Sequence, residues 1–157
     1  MTFELRDHTA DVAVEATAPT LSALFESVAD GLTAASCESV PETGDRFSLS
    51  VRAESREALL FDYLDQLIYE RDVRLVLPAA NQCTVSGPAE SSAGDEAATA
   101  ADDGASPDDA DAWTVDATAR GVPLTDVAAR EIKAVTYSEM TIDRRGDEWY
   151  AYVVFDV

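Results

Sequence analysis

The sequence predicts an α+β fold, a two-layer β-sheet sandwich with two main helices packed on the sheets. Three observations predict it. Two stretches carry apolar residues at helical spacing behind a capping hydroxyl. Several others alternate apolar and polar residues with the period of two that a half-buried strand needs. The elements run β-β-α-β-α-β and then continue as strands, with no internal repeat, which suits an α+β sandwich.

In chain order, a short first strand leads into Asp7-His8-Thr9-Ala10-Asp11, and a strand follows in which Val12, Val14 and Ala16 alternate with Ala13, Glu15 and Thr17. Thr20 caps the first helix after Pro19, and Leu21, Leu24, Phe25, Val28 and Leu32 form its apolar stripe. Phe47, Leu49, Val51 and Ala53 alternate with Ser48, Ser50, Arg52 and Glu54 in the next strand. Ser55 caps the second helix. Its stripe is Leu59, Leu60, Tyr63, Leu64, Leu67 and Ile68, and its other face carries Glu57, Asp62, Asp65, Gln66 and Arg71. With one broad stripe each, both helices are expected to cover one face of a sheet as core elements. Further strands are expected at Val73–Leu77, Cys83–Ser86 and Ile132–Asp143, and Trp113, Val115, Ala117 and Ala119 alternate with polar neighbours in another. Arg144-Arg145-Gly146-Asp147 reads as a hairpin turn into the last strand, Trp149 to Asp156.

One segment stands apart. Pro88 to Ala112 holds no Val, Ile, Leu, Met or aromatic residue, and carries eight carboxylates and no base. It cannot bury enough apolar surface to offset its ordering entropy, so a disordered acidic insert at 88–112 is expected within a single domain spanning 1–157. The length of 157 residues suits one domain with one core.

Composition restricts function. The net charge is −20, from 31 acidic and 11 basic residues, so nucleic-acid binding through a basic patch is disfavoured. Without the insert the charge is still −12, and every base except Lys133 is Arg. An acid excess of this kind suits a salt-filled cytoplasm, where the Debye length falls to about 3 Å at 1 M salt and self-repulsion is screened. The expected outcome is that the fold loosens when molar KCl is dialysed out, read by circular dichroism against KCl concentration. Full cooperativity in dilute buffer would overturn the halophilic reading. No run of about 18 apolar residues exists, so no membrane span is expected. The N-terminus has no basic region followed by an apolar stretch, which points to the cytoplasm. Cys37 and Cys83 form no C-x-x-C and read as small buried hydrophobes.

Residues able to do chemistry are few. Asp7 and Asp11 flank His8, the sole histidine, and a turn could bring both carboxylates toward one point. Two carboxylates can hold a hard cation through oxygen, but Ca²⁺ takes six to eight ligands and Mg²⁺ six, so other oxygens must join them. The same residues also suit a turn that bonds its own backbone. Asp156 stands next to the terminal Val157, and an acidic side chain beside a main-chain carboxylate repels unless a cation or solvent relieves it. Lys133, in Glu131-Ile132-Lys133-Ala134-Val135-Thr136-Tyr137-Ser138, is the one ammonium in a chain that otherwise uses Arg. Phosphate-loop, dinucleotide and H-E-x-x-H patterns are missing, and no nucleophile motif surrounds His8, so a self-contained enzyme is poorly supplied.

Together these segments resemble the archease family. Its DHTADV stands as Asp7-His8-Thr9-Ala10-Asp11-Val12, its T-x-x-x-L-F helix start as Thr20 to Phe25, and its Leu- and Tyr-rich second helix as Leu59 to Tyr69. Its KAVTYH stands as Lys133 to Tyr137 with Ser138 in place of the His, and its closing W-x-x-x-V-V-x-D-[IV] as Trp149 to Val157. The resemblance spans the chain except the acidic insert. It implies an accessory protein of tRNA splicing, not an enzyme, which activates the RtcB-type RNA ligase by promoting guanylylation of the ligase and its multiple turnover. It also implies a divalent metal, taken as Ca²⁺ in the family, held at the positions of Asp11, Asp156 and Val157. Asp7, His8, Lys133 and Tyr137 are then expected to support the site or contact the ligase. Two departures are Ser138, and Arg120-Gly121-Val122-Pro123 where the family often has G-E-K. The alternatives are a stand-alone metal-dependent phosphoester hydrolase using Asp7 and Asp11, and a chaperone-like protein-binding module.

Overall fold

A computed structural model of the protein describes residues 2–7, 11–87 and 112–157. His8 and nearly all of the acidic insert predicted at 88–112 lie outside the described residues, as do all side chains of the first strand except that of Phe3. The elements are β1 (Thr2–Asp7), β2 (Asp11–Ala18), α1 (Leu21–Ser36), β3 (Asp45–Ala53), α2 (Arg56–Arg74), β4 (Val76–Ser86), β5 (Trp113–Pro123), β6 (Ala134–Arg145) and β7 (Glu148–Asp156). They form two antiparallel sheets, one in the order β1-β2-β7-β6 and one in the order β3-β5-β4. The α+β class with two sheets and two helices is as the sequence predicts. No helix among the described residues is long and apolar enough to cross a membrane.

Both helices begin where the sequence places their caps. Thr20 Oγ1 accepts from the Ala23 N–H at 3.1 Å, and Ser55 Oγ accepts from the Ala58 N–H at 3.1 Å, each satisfying a donor the first turn leaves free. The expectation that each helix covers one face of one sheet is corrected. α1 packs on β4 of the small sheet and on β1 and β2 of the large one, and α2 packs on β3, β4 and β5 and on β6. Small residues allow this: Ser27, Ala29, Gly31, Thr33 and Ala35 are buried beside the large stripe, so α1 is enclosed over much of its girth. A Cβ at Gly31 would stand 2.7 Å from Val14 Cγ1, so only glycine lets α1 approach β2 this closely.

α1 also covers an open sheet edge. β4 is an edge strand, and such strands expose unpaired N–H groups. Ser22 Oγ, Glu26 Oε2 and Asp30 Oδ1 accept from the main-chain N–H of Val85, Cys83 and Asn81 at 2.8, 2.9 and 3.2 Å. The match is geometric: four helical residues rise about 6 Å and two strand residues about 6.8 Å.

Two stretches differ from the sequence expectation. Val73 is helical, because α2 runs to Arg74, and β4 is one strand from Val76 to Ser86 with an irregularity between Ala79 and Gln82. β-branched Val73 suggests a strand, but it continues the last turn of α2. The helix ends at Leu75, which adopts the left-handed conformation at φ 59° and is 66% exposed. A left-handed non-glycine residue costs about 1–2 kcal/mol, and glycine's added freedom when unfolded offsets about 0.5–1 kcal/mol. Leu75→Gly is therefore expected to stabilise the fold by about 0.5 kcal/mol, measured by urea unfolding. A loss of stability would mean that the exposed Leu75 side chain packs more than its position suggests. The β6–β7 hairpin turns at Gly146-Asp147 with Gly146 at φ 65°, as a type II′ turn requires.

Candidate metal centre

The alternation in β2 sends Val12, Val14, Ala16 and Ala18 to the main core, which leaves Asp11 on the opposite face. The alternation in β7 likewise sends Ala151, Val153 and Phe155 inward and leaves Asp156 outward, where it is exposed. The antiparallel register then sets Asp11 directly opposite Asp156, and Asp156 opposite Ala134 of β6. Residues opposite one another share a face with Cβ atoms about 4.5–5.5 Å apart. Two carboxylates from near the two ends of the chain thus stand side by side at one end of the large sheet.

Such a pair is unfavourable without a counter-charge. Asp11 Oδ1 is also buried, with no hydrogen-bond partner among the described residues. A buried carboxylate oxygen with no described partner, beside a second carboxylate, fits a hard cation. Zn²⁺ fits less well, since both cysteines lie elsewhere, buried and free. Val157 follows Asp156, is half-buried and packs against the main core. Among the described residues no three His, Cys, Asp or Glu side chains converge, so an ion here needs further oxygens besides those of Asp11 and Asp156.

The predicted supporting residues divide. Lys133 comes to the site: its N–H donates to the Asp156 carbonyl at 2.8 Å, and its side chain is exposed. Asp7 ends β1 with Val12 as its register partner. Its side chain and His8 are outside the described residues. Tyr137 lies further along β6, where the register slips between Thr136 and Thr141. It is 52% exposed and meets Phe61 of α2 edge-on at 5.6 Å between ring centroids.

Sequence reasoning misses two arginines. Its charge places Arg71 on the polar face of α2, yet it is 8% exposed. Its guanidinium donates to the Ile132 carbonyl at 2.7 Å and to Asp72 Oδ1 at 3.0 and 3.1 Å. A signal for this exists, because position 71 continues the spacing of Leu60, Leu64 and Leu67. Arg130 donates from its N–H to the Ser36 carbonyl at 2.7 Å and from Nε to the Ala35 carbonyl at 3.3 Å, serving the orphan carbonyls at the end of α1.

A cleft among the described residues lies elsewhere. It is an open depression of about 870 Å³ on the small sheet, lined in part by Glu26, Ser48, Ser50, Thr84, Asp116 and Thr118. Among its lining residues Ser50 Oγ donates to Asp116 Oδ1 at 2.7 Å and the Cys83 N–H to Glu26 Oε2 at 2.9 Å. The Cys83 thiol in its wall is pushed up to about 12 by burial and by Glu26, so it stays protonated and inert at neutral pH. The cleft is open and its two carboxylates already accept from the Cys83 N–H and from Ser50, whereas Asp11 Oδ1 has no partner among the described residues. The chemistry therefore points to Asp11 and Asp156.

The chain matches the Archease protein family (MTH1598/TM1083) over residues 3–157. Its fold is similar to the solution structure of Methanobacterium thermoautotrophicum protein 1598, at a TM-score of 0.74 and 24% identity, covering 99% of this chain and 98% of that one. It is also similar to the crystal structure of an archease, possible chaperone (TM1083), from Thermotoga maritima, at a TM-score of 0.57 and 20% identity, covering 97% and 94%. No curated protein matches the sequence.

Proposed function

The chain belongs to the archease family, and from that premise we propose that it is a cytoplasmic accessory protein of tRNA splicing that activates an RtcB-type RNA ligase through a divalent metal site at Asp11, Asp156 and Val157. The observation that carries this is the placement of Asp11 opposite Asp156 with Asp11 Oδ1 unpartnered among the described residues. Ca²⁺ is the ion the family resemblance suggests, and the all-oxygen donor set suits it. Bound there, such an ion supplies charge neutralisation of the kind that phosphate chemistry needs in the guanylylation of the ligase. The chain's own part is to hold the two carboxylates on one face, and to present them at a sheet end where the Lys133 main-chain N–H fixes the Asp156 carbonyl.

The test is exon-half ligation with the cognate ligase at limiting concentration. Added protein is expected to turn a single round into many, and unchanged turnover would sink the reading. A chaperone-like protein-binding module is the second reading. The description of the Thermotoga neighbour favours it, as do the exposed Tyr69, Val73, Leu75 and Tyr137. It predicts protection of unrelated clients from aggregation that survives loss of Asp11. A stand-alone hydrolase would turn over phosphoesters with divalent ions and no partner, and no such turnover is expected.

A further inference from the structure

We propose that Arg71 is a positioning residue for the Asp11–Asp156 site, acting through the main chain of Ile132 and Lys133. The inference rests on the metal reading above for what the site does, but its structural part stands separately. A buried guanidinium is costly unless its donors are met, and position 71 lies in the packing stripe of α2, where Leu or Met would sit at less cost. One of its partners, Asp72, is an exposed carboxylate on the same helix and ties Arg71 to nothing else. The other, the Ile132 carbonyl, belongs to the segment that leads into β6. Ile132 is fully buried and lies two residues before the first residue of the strand, its carbonyl sharing a peptide group with the Lys133 N–H.

From there the connection is short. The N–H of the next residue, Lys133, donates to the Asp156 carbonyl at 2.8 Å. Ala134 then pairs with Asp156, and Asp156 with Asp11. Arg130 fastens the same segment to the end of α1 through its bonds to Ala35 and Ser36. Two arginines therefore clamp residues 130–133 between both helices, and that segment fixes the main chain of Asp156 and carries the sole lysine. A carboxylate at a strand end is otherwise held on that side by a segment with no regular structure. Holding it in register with Asp11 lowers the ordering cost of binding an ion between them.

The test uses the full chain in molar KCl with Arg71→Met, which fills the stripe without donors, and Arg71→Lys, which can still reach one acceptor. Two quantities are read: Tb³⁺ affinity by luminescence as a probe of the oxygen site, and amide exchange of Lys133 without metal. In Arg71→Met the affinity is expected to fall about tenfold, as for loss of an outer-shell partner, with Lys133 exchange faster and the circular dichroism spectrum unchanged. Arg71→Lys is expected to recover most of the affinity. Unchanged affinity and unchanged Lys133 exchange in folded Arg71→Met would overturn the proposal and leave the metal reading intact. Wild-type protein that binds no Tb³⁺ would overturn the metal reading and, with it, the role given to Arg71. If Arg71→Met does not fold, the exposed Arg130→Pro removes both the main-chain N–H bonded to Ser36 and the Nε donor to Ala35, which cuts the other fastening of the same segment, and the same two outcomes apply.

Discussion

Asp11→Ala is expected to abolish multiple turnover by the ligase and to weaken divalent-ion binding by at least about a hundredfold, since it would remove a carboxylate that the proposed site uses as a direct ligand. The sign of its effect on stability is the sharper part. In metal-free protein Asp11 faces Asp156 across two strands, and like charges directly opposite are destabilising by a few tenths to about 1 kcal/mol. Removing one of them, together with a buried oxygen that has no partner among the described residues, is expected to leave stability in chelator unchanged or slightly raised. Wild-type protein should instead gain stability from the ion by mass action, about 2.7 kcal/mol at a hundredfold excess over Kd. Ca²⁺ should therefore raise the wild-type melting temperature and leave that of Asp11→Ala where it was. Undiminished turnover by Asp11→Ala would defeat the metal-site mechanism. A large loss of stability in chelator would make Asp11 a structural residue.

The second large effect is in the core. Phe25 of α1 and Tyr63 of α2 are fully buried and stacked, with ring centroids 6.1 Å apart and an interplanar angle of 17°. They join the two helices where both meet the sheets. Phe25→Ala removes an aromatic ring from a site whose neighbours are anchored in two elements, so the cavity can collapse little. A cost of about 3–5 kcal/mol is expected, a large share of the roughly 5–15 kcal/mol that a domain holds. Urea unfolding would read it as a shifted midpoint with little change in slope. Tyr63→Phe is expected to go the other way. The Tyr63 hydroxyl has no hydrogen-bond partner among the described residues, and the Cys83 thiol beside it is too weak to satisfy it. Removing that hydroxyl should be neutral or stabilising by up to about 1 kcal/mol. A cost above 1 kcal/mol for Tyr63→Phe would show that the hydroxyl is bonded after all.

Much of the fold is legible because its determinants are local. Thr20 and Ser55 announce their helices, since a capping hydroxyl acts on donors three residues away. Gly146 announces the β6–β7 turn, since a positive φ suits few other residues. Two of the misreadings are also local. Val73 has strand propensity but completes a turn of α2 that packing has already set. Arg71 reads as polar-face by its charge, although its spacing puts it in the apolar stripe.

The candidate site is only half legible. Asp7, Asp11, Asp156 and Lys133 stand out as residue types, and the resemblance to archeases joins three segments without a physical reason. The sequence by itself determined the alternation that turns Asp11 and Asp156 away from the core, because period-two burial is a property of each strand alone. Only the tertiary structure decided that β2 and β7 are neighbours and that their register sets Asp11 against Asp156. It also decided that Arg71 reaches Ile132 from a different element. Strand order and register come from how both helices and both sheets share one core, and no window of sequence contains that information.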